Sequence, residues 1–186
     1  MKPTRFAAAA LTLSALAACG SQENQTAAPP PAAASETAAA PAVQTLTSRD
    51  NTVSITVGSR NFTDQSANPQ LLPEGIPAEN ITLLQEADDG TLLYVADLGG
   101  PKSPADQYFA QLKAGLEKMT GIDRLSVGAA TENRMAYSYQ GKTEDVLNES
   151  CLAVYADRIY SVCAAGTADP AQLSDLLKEV KLTTAP

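Results

Sequence analysis

The chain has 186 residues, 13 basic and 21 acidic, for a formal charge of −8, and it contains no histidine. That charge disfavours nucleic acid and anionic lipid headgroups as partners. The missing histidine excludes Ser-His-Asp and Cys-His catalysis and removes the commonest metal ligand, leaving carboxylates, lysine and tyrosine for any chemistry.

Residues 1–18 read as a lipoprotein signal peptide. Lys2 and Arg5 form a positive start, and Phe6 to Leu16 is apolar but shorter than the roughly 20 residues a bilayer-spanning helix needs. The small pair Ala17-Ala18 precedes Cys19. Leu16-Ala17-Ala18-Cys19-Gly20 resembles the lipobox of bacterial lipoproteins, which implies cleavage before Cys19 and acylation of that residue with palmitate-like chains. Two or three such chains anchor durably where one does not. Losing Lys2 and Arg5 from the 13 basic residues leaves 11 against 21 acidic. Gly20 and Ser21, in place of an aspartate after the cysteine, favour the outer membrane of a Gram-negative bacterium, facing the periplasm or the cell surface.

Residues 19–50 read as a lipidated, disordered tether. Pro29-Pro30-Pro31 and Pro41 oppose helix, and no apolar periodicity is present. Residues 51–184 read as one domain. Thr52 to Val57 alternates with period two and predicts a strand. Residues 61–77 look irregular. Two apolar runs flank Asp88-Asp89-Gly90, a hairpin-turn signal.

Ser103 and Pro104 predict a helix start, with Tyr108, Leu112, Leu116 and Met119 on one face, Phe109 beside them and Gly121 as terminator. Residues 125–130 and 134–140 predict a hairpin in which Met135, Tyr137 and Tyr139 share a face. Residues 145–155 and 158–165 predict another. Asp169 and Pro170 start a last helix, with Leu173, Leu176, Leu177 and Val180 at helical spacing. Paired strands with helices packed on them make an α+β domain with a mainly antiparallel sheet.

A turn at Ala156-Asp157-Arg158 would make residues whose numbers sum to 314 face each other. Cys151 then meets Cys163, Ala153 meets Ser161 and Tyr155 meets Ile159, within reach of a disulfide. Export favours that bond, and Cys19 remains as the cysteine free for lipid.

Glu86, Asp88 and Asp89 cluster without the spacing of a calcium loop, so they read as a solvated turn and no metal or cofactor is expected. Asn61, Asn80 and Asn148 match the glycosylation pattern by chance.

The lipobox, the polar tether, the strand at Ser54 to Val57 followed by Thr63-Asp64-Gln65-Ser66, and the order of elements together resemble the DcrB family of envelope lipoproteins, whose domain is similar to the PsbP and Mog1 fold. The Cys151–Cys163 pair departs from that family. The resemblance implies a non-catalytic accessory role in envelope integrity, with an envelope protein as partner. Two other classes compete with it. One is a small periplasmic hydrolase using Glu86 with Asp88 or Asp97; the other is a surface-displayed antigen or adhesin that binds host molecules.

Overall fold

The computed structural model describes residues 43–183 except 59, 144 and 145. The leader, the lipobox with Cys19 and residues 19–42 of the tether lie outside the described residues. The alternating run becomes strand β2 (Val53–Val57), with Val53, Ile55 and Val57 buried and Ser54 and Thr56 between them half-buried. It lies in a three-stranded antiparallel sheet between β1 (Gln44–Thr47) and β10 (Val180–Leu182).

The presence of β1 corrects the expected boundary, because the folded domain already includes residues counted in the tether. Gln44-Thr45-Leu46-Thr47 holds one large apolar side chain and so shows no periodicity. It is a strand because β2 offers it a backbone ladder, with Leu46 opposite Ile55 and buried. Asn51 closes the turn with a positive φ of 60°, a conformation asparagine tolerates better than most residues.

The second sheet has seven strands, all antiparallel, in the order β3 (Phe62–Asp64), β4 (Ile81–Glu86), β5 (Leu92–Asp97), β9 (Ile159–Gly166), β8 (Asn148–Tyr155), β7 (Arg134–Gly141) and β6 (Ile122–Val127). Helix α1 (Ala105–Leu116) carries the chain from β5 to the far edge at β6, and the meander β6 to β9 returns to pair with β5. β9 is therefore central, and nearly every residue in it is buried.

One face of this sheet shares a core with the small sheet and helix α2 (Pro170–Asp175), through Leu93, Val95, Val154, Tyr160, Val162 and Leu173 among others. The opposite face carries α1, whose Phe109 and Leu116 pack on Met135 and Ala153. The loop after β3 covers the remainder of that face, with Leu71, Leu72 and Ile76 against Ile81, Leu83 and Tyr94. Both faces are covered, as an α+β layer arrangement requires.

Both helices are shorter than predicted. Pro104, not Ser103, is the N-cap of α1, and the Ser103 carbonyl instead accepts a 2.6 Å hydrogen bond from the Tyr155 hydroxyl. Beyond Leu116 the chain turns, leaving Met119 40% exposed. Asp169 does cap α2, accepting from the Ala171 N–H at 2.9 Å. The helix stops at Asp175, however, and Val180 starts β10 opposite Ile55. Leu173, Leu177 and Val180 all enter one core, so the apolar stripe marks burial correctly. The free edge of β2 outweighs the helical period after Leu177.

Candidate functional site

On the α1 side of the large sheet, strand register lays side chains in rows. One row runs Tyr94, Cys163, Cys151, Tyr137 across β5, β9, β8 and β7. The next runs Leu92, Ala165, Glu149, Tyr139 across the same strands. The register of β8 and β9 is the expected one, with numbers summing to 314 from Asn148–Gly166 to Tyr155–Ile159. Cys151 and Cys163 are both buried and are joined as a disulfide, their Cα atoms 4.1 Å apart. Ser161 Oγ lies 3.2 Å from Cys163 Sγ.

Glu149 has the same parity as Cys151 and points to the same face. Tyr94, from two strands away, and Tyr139, from the adjacent strand, both donate their hydroxyls to its carboxylate, one to each oxygen. Ala165, the residue between Leu92 and Glu149, is small, and its methyl leaves room for the Tyr94 ring to cross β9. Burial, and then the neighbouring Glu149 charge, push the Tyr94 and Tyr139 phenols well above their ordinary value of 10.0. Burial pushes Tyr137 up to about 12. All three phenols therefore remain proton donors at neutral pH.

The two hydroxyls occupy two of the roughly four acceptor positions of the carboxylate. The half-buried Glu149 opens on a cleft of about 640 Å³ bounded by Leu71 and Pro73 of the loop after β3, by Leu147 before β8, and by Leu92 and Ala165 on the sheet. The exposed Glu74 stands at its rim. Among the described residues no lysine or arginine lines this cleft, and none forms an ion pair with Glu149. Glu149, Cys151 and Cys163 bring an oxygen and two sulfurs within 4.8 Å. The disulfide ties up both sulfurs, so the trio cannot act as a thiolate metal site.

The acids nominated in the sequence are elsewhere. Glu86 is buried at the end of β4, where one carboxylate oxygen accepts the backbone N–H groups of Asp88 and Asp89 at 3.0 and 2.9 Å. Arg60 bonds Asp89 at 2.5 Å. Hydrogen bonds from Thr91, with Arg60 alongside, outweigh burial and hold the Asp89 carboxyl at about 2. The cluster is a turn that closes on itself.

Asp97 pairs with Arg158 at 2.6 Å and accepts from the Gly99 N–H at 2.8 Å. The β4–β5 register sets it opposite residue 80, six residues along the strand from Glu86, or about 20 Å. Glu86 and Asp97 thus form no catalytic pair.

From sequence, Tyr94 and Glu149 have no assigned role, and Tyr139 lies on a shared face without one. The signal available was parity. The 314 register that opposes the cysteines also sets Glu149 opposite Ala165 on the cysteine face, and Tyr137 and Tyr139 were already paired by their spacing.

No protein-family model matches this chain, and no curated protein matches it. Among solved structures it is similar to the solution structure of cyanobacterial PsbP (CyanoP) from Synechocystis sp. PCC 6803. The TM-score is 0.49 and the identity 7%, over 83% of this chain and 100% of that one.

Proposed function

We propose that this protein is a lipid-anchored envelope protein of a Gram-negative bacterium, held at the outer membrane through Cys19, with a domain that binds and does not catalyse. This is the accessory role that the resemblance to the DcrB lipoproteins implies, with an envelope protein as partner. The observation that carries the reading is the Cys151–Cys163 bond. Two of the three cysteines are consumed inside the fold, in a form that an oxidising compartment supports. The third, Cys19, stands behind a run that resembles a lipobox.

The binding half of the reading is supported by the engagement of the candidate acids. Glu86, Asp89 and Asp97 are each held by turn hydrogen bonds or arginine, whereas Glu149 faces a cleft.

Metabolic labelling with an alkyne-palmitate, followed by membrane fractionation, tests the anchor. The wild-type chain is expected to take label and sediment with outer-membrane markers, and Cys19→Ser to lose the label and leave the membrane fraction. An unlabelled wild-type chain, or a labelled Cys19→Ser chain, would overturn the reading. Crosslinking in live cells then identifies the partner.

A further inference from the structure

We propose that the cleft over Tyr94, Tyr139 and Glu149 binds a small organic ammonium ion that carries an apolar body. This deepens the binding role proposed above and rests on it, but it does not depend on the anchor at Cys19.

Three features converge on that ligand class. The first is a carboxylate held in place. Two tyrosine hydroxyls from β5 and β7 fix Glu149, so little side-chain freedom remains to be lost when a cation arrives. Both hydroxyls already donate to it, and a carboxylate offers further acceptor positions. What those positions lack is a donor bearing positive charge, which an ammonium supplies with up to three N–H groups.

The second is charge. The cleft is lined by two carboxylates, Glu149 and Glu74, with no lysine or arginine among its described lining residues. An anion entering it would meet only repulsion, and a neutral ligand would leave Glu149 without a cation.

The third is the apolar wall. Leu71, Pro73, Leu92 and Leu147 line the same cleft as the carboxylate, and Leu147 is 41% exposed. A bare metal ion would not cover such a surface, whereas a short hydrocarbon body would remove it from water. A volume of about 640 Å³ lies within the usual range for small-molecule clefts.

Ring signals of the six tyrosines, observed by NMR in the full chain with labelled tyrosine, test this directly. The probes are n-pentylammonium and its neutral counterpart n-pentanol. Pentylammonium is expected to shift Tyr94 and Tyr139 saturably and to leave Tyr155 and Tyr160 in place, while pentanol shifts neither pair. Binding should weaken by at least about tenfold in Glu149→Gln, which removes the charge, keeps an acceptor for one tyrosine and turns an amide N–H toward the hydroxyl oxygen of the other. It should weaken by about threefold in Glu74→Gln, which removes the exposed second carboxylate, and progressively with added salt.

Equal binding of pentanol, unaltered affinity in a folded Glu149→Gln chain, or shifts spread over all the tyrosines would overturn the proposal. If Glu149→Gln does not fold, salt-independent binding together with full affinity in Glu74→Gln overturns it equally. Loss of palmitate labelling with intact tyrosine shifts would remove the anchor and leave the cleft. The reverse result would remove the cleft and leave the anchor.

Discussion

Tyr160, at the centre of the large sheet, donates its hydroxyl to Asp50, 110 residues earlier in the β1–β2 turn. The same carboxylate accepts from the Ser48 hydroxyl at 2.6 Å and the Thr52 N–H at 3.2 Å. Burial works to raise the Asp50 carboxyl, but hydrogen bonds from Ser48, Tyr160 and Thr52 overcome it and hold the group at about 2, against an ordinary 3.8. Asp89 is likewise held at about 2. A depressed carboxyl stabilises the fold fully above its unfolded value and loses that contribution as pH falls through its folded value. Stability is therefore expected to decline between about pH 4 and 2, and Asp50→Asn should flatten that limb in urea denaturation followed by circular dichroism. Tyr160→Phe should lower stability at pH 7 by about 1–2 kcal/mol. An unchanged acid limb in Asp50→Asn would contradict this role.

At alkaline pH the tyrosines act in the opposite direction. Burial comes first among the causes that raise Tyr94, Tyr108, Tyr137, Tyr139 and Tyr160, with Tyr137 and Tyr160 reaching about 12. A phenol raised in the fold contributes stability that is present below pH 10 and lost as pH rises toward its folded value. Absorbance at the phenolate band should show these groups ionising only together with unfolding, well above pH 10. Fully reversible ionisation of these five tyrosines near pH 10 in the folded chain would refute it.

The Cys151–Cys163 bond closes a short loop, with a sequence separation of 12. Chain-entropy reasoning gives such a loop about 2–3 kcal/mol. Cys151→Ala with Cys163→Ala should lower the unfolding free energy by that amount, read as a lower urea midpoint, and reductant should reproduce the effect in the wild-type chain. An equal midpoint with and without the bond would deny it a structural role.

The sequence predicts Met119 on one helix face with Tyr108, Leu112 and Leu116, and Phe109 beside that face, but the structure buries Phe109 and leaves Met119 outside the helix. Phe109 is 3% exposed and Met119 40%. Phe109→Ala should cost about 3–5 kcal/mol, while Met119→Ala should stay within about 0.5 kcal/mol of wild type. Similar losses from both would mean that α1 runs on past Leu116.

Gly141 ends β7 where the backbone returns toward β8. A Cβ placed there would collide with the Val146 carbonyl oxygen, and the Gly141 N–H donates to Asn148 Oδ1 at 2.9 Å. Gly141→Ala should destabilise the domain by about 1–3 kcal/mol and shift the amide signals of Val146 and Leu147. A variant with the wild-type melting temperature would show that this return is loosely held.

Much of the architecture was legible because local chemistry and tertiary packing agree. The β8–β9 register followed from two cysteines and one polar turn, and the β4–β5 hairpin from Asp-Gly. The failures lie where a partner from elsewhere in the chain decides. β1 has a single buried large apolar residue and takes its form from β2. β10 sits inside a helical pattern, and the open edge of β2 converts it to strand. The Tyr94–Glu149 contact joins residues 55 apart on strands that are not neighbours, so it could be seen only once β9 was known to lie between β5 and β8.

The position of β1 also has a mechanical meaning. Tension applied from the N-terminal side, as anchoring at Cys19 would apply it, reaches the domain at the Gln44–Val57 end of a four-residue ladder. Pulled from that end, the ladder opens one pair at a time, which resists force far less than loading all its bonds together. The other end is clasped by Ser48, Asp50 and Tyr160. Under such an anchor the first pairs to open would be Gln44–Val57 and Thr45–Thr56, and the next would draw Leu46 out of the core opposite Ile55, so this zipper would be short and backed by a stop.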